Sequence, residues 1–108
     1  HLYQVKAQLG CDPVEEVRST LERLAHAREN ESAWVYALAF AKRDENAAAA
    51  LLAHCEGAEG VRAQAARVEL LKTSDPARAA AAATRLVELD ATRARYWRRR
   101  AEGLGNGT

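Results

Sequence analysis

The side chains in this sequence that could carry chemistry are few: thiols at Cys11 and Cys55, imidazoles at His1, His26 and His54, and an arginine block, RARYWRRR, over residues 93–100. A metal site needs three or four such donors at short, defined separations. His54 and Cys55 are adjacent, Cys11 is isolated, and His26 follows an apolar helical stripe, so neither a metal site nor a cofactor is expected. Cys55 reads as a buried thiol. Two cysteines make no disulfide framework, and free thiols suit a reducing compartment, which points to the cytoplasm. The sequence has no Gly-rich phosphate loop, no nucleophile elbow, and no carboxylate pair outside a helix-capping or solvent role. No catalytic residue is assigned, and the chain is expected not to be an enzyme.

The arginine block could contact phosphates, with Tyr96 stacking on a base. Sixteen Lys and Arg against fifteen Asp and Glu leave a net charge of +1, which counts against nucleic acid as the partner. On a helix of about 100° per residue, Ala94, Trp97, Ala101 and Leu104 share a narrow face. Arg95, Arg98 and Arg99 point nearly opposite, and Arg93 and Arg100 flank Trp97. Trp97 is therefore assigned to packing, its indole N–H needing a partner at the edge of the core. Arg98 is placed to pair with Glu102 one turn on. The only acids between 85 and 100 are Glu88 and Asp90, so a locally positive surface is expected.

The elements that must carry these residues are helices. Asp12-Pro13 and Asp75-Pro76 are helix starts, because Asp accepts from first-turn amides and Pro gives up an amide that had no partner. Asp12 and Glu15 have capping-box spacing, and Val14, Val17, Leu21 and Leu24 complete a helix over 13–26. Asn30 or Ser32 opens a helix through Trp34, Ala37, Leu38 and Ala41. Asp44 opens AAAALLAHC, which Gly57 ends. Val61, Ala65, Val68 and Leu71 form the next stripe; Ala79, Ala82, Leu86 and Leu89 form another. No segment alternates with period two, so the fold class is all-α, with about six or seven short antiparallel helices. Residues 1–102 read as one domain, and the glycine-rich 103–108 as a flexible tail. The start at His1 rather than Met is expected to be a tag remnant on a fragment. The longest apolar run, Ala33 to Ala41, is less than half the roughly 20 residues of a membrane span, so the chain is expected to be soluble and off the membrane.

The helix-opening aspartates Asp12, Asp44 and Asp75 recur at near-constant intervals, and the positions ten residues before them hold Leu2, Trp34 and Ala65, with Trp97 one step further. From Asp75 to Leu104 the chain resembles tetratricopeptide repeats. AAAAATRLVELD is similar to the family's second helix, Ala91-Thr92-Arg93 to its linker, and Trp97, Ala101 and Leu104 to the large, small and large positions of the next first helix. Ala91 replaces the usual linker proline, and Arg67 falls where a small residue is expected. The resemblance implies a right-handed alpha-alpha superhelix whose concave groove binds a peptide or helix segment. Its groove residues would be Val35, Ala39 and Lys42, beside Ser32, then Gln64, Val68 and Leu71, beside Val61, then Arg95 and Arg98. Val35 and Ala39 occupy the positions of the lysine–asparagine clamp that some such domains use for a peptide carboxylate. A protein or peptide partner with an apolar or amphipathic segment and acidic residues is the better fit. A second resemblance, through Asp90, Trp97 and Arg100, is to the α subunits of protein prenyltransferases, and implies a helical crescent supporting a catalytic subunit.

Overall fold

Side-chain caps set most of the helix starts in the computed structural model, which describes residues 10–27 and 30–106. Helix α1 spans Pro13–Leu24, with Asp12 accepting from the Val14 amide at 3.0 Å and proline in the first turn. Helix α2 spans Glu31–Ala41, capped by Asn30 through the Ala33 amide at 3.2 Å. Asp44 accepts from the Ala47 amide at 2.9 Å, opening α3 over Glu45–Glu56. Helix α4 spans Val61–Leu71 and has no side-chain cap; Gly60 precedes it at φ 149°, a conformation that costs glycine little. Helix α5 spans Pro76–Leu89, with Asp75 accepting from the Arg78 amide at 3.3 Å. A 3-10 turn over Ala91–Arg93 leads into α6, Ala94–Asn106.

The described chain is all-helical, six α-helices and one 3-10 turn without a strand. Leu2 and the rest of 1–9 lie outside the described residues, as do Gly107 and Thr108. Helix α1 stops at Leu24, two residues short of the sequence reading, and α6 runs on to Asn106 through Gly103 and Gly105. No described helix is long and apolar enough to cross a membrane. The chain divides into two compact units, His1–His54 and Cys55–Thr108, the division falling within α3.

In the first unit, α1 packs on α2. Val17, Thr20 and Leu24 of α1 and Trp34, Ala37, Phe40 and Ala41 of α2 are buried. Thr20 is the polar member of that set. Its hydroxyl donates to the Glu16 carbonyl at 2.8 Å and accepts from Arg23 at 3.3 Å, so burial leaves it satisfied. Tyr36 sets its ring edge against Phe40, 5.2 Å between centroids, and its hydroxyl donates to the Glu16 carboxylate.

In the second unit, α4 packs on α5 and α5 on α6. The core joins Val68, Ala82, Ala83, Leu86 and Trp97, with Val61, Ala65, Val87, Ala101 and Leu104 packed around them. The alanines on α5 have no side chain beyond Cβ, so neighbouring helices approach closely while Leu86 and Trp97 fill the remaining volume.

Candidate partner-binding site

The arginine block divides by what each guanidinium meets. Arg93 lies over the Tyr96 ring at 4.6 Å and the Trp97 ring at 5.4 Å, with Asp90 at 4.0 Å. Arg100 donates to Glu69 on α4 at 3.0 Å, a contact across 31 residues of sequence. Arg78 pairs with Glu56, and Arg85 reaches Glu59 at 3.3 Å. Arg95, Arg98 and Arg99 are exposed and have no acidic partner among the described residues. The expected Arg98–Glu102 ion pair is not formed, although both line one cleft. Such a pair at the surface is worth only about 0.3–0.5 kcal/mol, too little to hold two long side chains in one geometry.

Trp97 is buried as its helical position predicts, and its indole nitrogen donates to Asp90 Oδ2 at 2.9 Å. Tyr96 is 45 % exposed and sets its edge against Trp97, centroids 4.7 Å apart. With Arg93 stacked on it, Tyr96 already has a cation as its neighbour, a local arrangement that needs no base to explain it.

The eight groove residues expected from the sequence fall into different environments. Val35, Ala39 and Lys42 belong to the first unit, a stripe along α2 at spacings of four and three residues; Val35 is 60 % exposed, Ala39 half-buried and Lys42 exposed. Arg95 and Arg98 are exposed on α6 of the second unit. Gln64, Val68 and Leu71 are interior, at 4 %, 1 % and 2 % exposure. Val68 is enclosed because α4 shares its core with both α5 and α6, so an apolar position that two helices would leave open is covered by the third. Gln64 donates to the Ala58 carbonyl at 3.3 Å and accepts from Arg67 at 3.1 Å, tying the turn before α4. These three hold the fold, whereas the other five are half-buried or exposed.

A feature that sequence reasoning missed is a cleft of about 300 Å³ between α5 and α6, lined by Thr84, Val87, Glu88, Arg98, Ala101 and Glu102. The signal was present in the helical spacing of Thr84, Val87 and Glu88, but only the pairing of α5 with α6 joins it to Arg98 and Glu102. A smaller cavity of about 160 Å³ lies in the first unit against Cys11, Pro13, Phe40 and Arg43.

The thiols differ. Cys11 is partly exposed, whereas Cys55 is fully buried. Burial pushes the Cys55 thiol from 9.0 up to about 12, Arg67 opposing the shift and Glu56 adding to it. A thiol so poised is protonated and a poor nucleophile. Among the described residues no three of His, Cys, Asp and Glu gather into a metal-binding set. His54 instead lies beside Trp34, ring centroids 6.0 Å apart. No family model, curated protein or solved structure matches this chain.

Proposed function

We propose that the chain is a non-catalytic scaffold of tetratricopeptide-like helical hairpins, arranged as a right-handed superhelix, which binds a peptide or helical segment of another protein. The observation that carries this reading is the Val35–Ala39–Lys42 stripe on α2. Trp34, Ala37 and Phe40 of that helix are buried, while Val35 stays open to water beside a half-buried alanine and a lysine. An exposed apolar anchor next to a cation suits an amphipathic segment with acidic residues. Arg95, Arg98 and Arg99, exposed and without an acidic partner among the described residues, give the second unit the same preference for carboxylates.

The scaffold is tested by affinity capture from a nuclease-treated lysate. The full chain is expected to retain a protein partner after nuclease, and Val35→Asp to reduce that partner's recovery while keeping the parent's helical spectrum. Loss of every partner on nuclease treatment would assign the surface to nucleic acid instead.

A second reading has one observation in its favour. Of the residues of the prenyltransferase α-subunit resemblance, Asp90 and Trp97 are hydrogen-bonded to each other, while Arg100 pairs with Glu69. On that reading the chain supports a catalytic subunit, and a stoichiometric partner carrying metal-dependent transferase activity would copurify with it.

A further inference from the structure

The cleft between α5 and α6 has an apolar floor and a charged rim. Val87 and Ala101 are half-buried and already touch the core of the second unit. Above them stand Arg98 and Glu102 on α6, with Glu88 and Thr84 on α5. Arg98 and Glu102 are four residues apart, a spacing at which helical ion pairs form. Neither they nor Glu88 has an ion partner among the described residues. Both signs are thus held open along one groove between two antiparallel helices.

We propose that this cleft docks an amphipathic helix of a protein partner, its apolar residues against Val87 and Ala101, a carboxylate against Arg98 and a cationic side chain against Glu102. The inference rests on the scaffold reading and names a site for it. Two antiparallel helices with a half-buried floor receive a third helix by ridges-into-grooves packing. The rim determines the chemistry of the occupant. A phosphate backbone would meet the carboxylates of Glu88 and Glu102 as well as Arg98, and like-charge contact penalises it. A helix with alternating charge on its flank satisfies both rim groups on α6.

The probe is a fluorescein-labelled synthetic amphipathic helix of about 16 residues, enough at about 1.5 Å per residue to span the cleft. It carries leucines on one face and a Glu and a Lys one turn apart on the flank. Binding to the full chain is read by anisotropy, with dissociation on the order of 10 µM expected. Val87→Asp should weaken binding at least about tenfold, as loss of an apolar anchor does. Thr84→Arg, at an exposed position that fills the cleft without touching the core, should do the same if Val87→Asp fails to fold.

Replacing the peptide Glu by Gln should weaken binding to the parent by about threefold and leave Arg98→Gln unaffected, the coupling expected of a direct rim pair. The proposal is overturned by no saturable binding up to about 1 mM, or by Arg95→Gln costing as much as Arg98→Gln, which marks diffuse charge. It is equally overturned by competition from a single-stranded oligonucleotide, or by a self-dimer that Thr84→Arg dissociates. In each of these outcomes a protein partner still captured by the parent leaves the scaffold reading standing, whereas failure of the capture itself removes it.

Discussion

Trp97 Nε1 donates to Asp90 Oδ2 at 2.9 Å, so the residue that ends α5 holds the side chain through which α6 enters the core. Asp90 also accepts from Thr92 at 3.5 Å and has Arg93 at 4.0 Å, which places the carboxylate at the hub of the turn. Trp97→Ala is expected to cost about 3–5 kcal/mol through the cavity it leaves. Asp90→Ala, which strands a largely buried N–H, is expected to cost about 1–3 kcal/mol. Urea denaturation of both variants checks this, and an unchanged midpoint for Trp97→Ala would mean that α6 is undocked.

Helix starts give a second prediction. Asp12, Asn30, Asp44 and Asp75 each accept a first-turn amide. Alanine at any one of them should destabilise the chain by about 1 kcal/mol. Asp12→Asn and Asp75→Asn should retain most of that stability, because the amide oxygen caps as well. Thermal melts of the four alanine variants and the two asparagine rescues read the difference.

Cys55 sets a pH dependence. Its folded pKa of about 12 lies above the ordinary 9.0. The folded state therefore holds a proton that the unfolded chain releases as pH rises past about 9. The stability that this group contributes is fully present below pH 9 and is lost progressively towards pH 12, at up to about 1.4 kcal/mol per pH unit. Cys55→Ala should flatten that part of the stability profile. A thiol reagent at pH 8 should label Cys11 readily and Cys55 only on unfolding; fast double labelling of the native chain would contradict the burial.

The arginine face gives a fourth. Among the described residues Arg95, Arg98 and Arg99 have no acidic partners to lose, so changing all three to Glu should shift stability by no more than about 0.5 kcal/mol per site. Three guanidiniums reach few phosphates, and duplex DNA binding should show a log–log salt slope of about −3. A slope near −8 would require a much larger nucleic-acid surface. Chelator should leave the circular-dichroism spectrum unchanged, because caps and apolar stripes account for the helices without metal.

The legible parts of this fold are those set by local chemistry. Asp12-Pro13 and Asp75-Pro76 announce their helices because a cap and its amide lie within three residues, and the apolar stripe of Trp97 announces burial because its helix has one inward face. The burial of Val68, Leu71 and Gln64 is not legible in the sequence, because their covering depends on how α4 packs with α5 and α6, which local periodicity does not encode. The Arg100–Glu69 pair is hidden for the same reason, spanning 31 residues. Gly103 and Gly105 suggested an early end to α6. Helix propensity is a weak prior that tertiary packing overrides, and Ala101 and Leu104 dock on the core at that end. Of the expected binding residues, Val35, Ala39, Lys42, Arg95 and Arg98 remain accessible to a partner, while the α5–α6 cleft emerges only once two helices are paired.

If a protein segment rests on the exposed helix faces, as proposed, amide hydrogen exchange of the full chain, with and without the partner retained after nuclease treatment, should detect it. Slower exchange is expected in α2 around Val35–Lys42, or in α5 and α6 beside the cleft, with α1 unchanged. Unchanged exchange throughout α2, α5 and α6 in the saturated complex, or slowing that appears only when nucleic acid is added back, would contradict it.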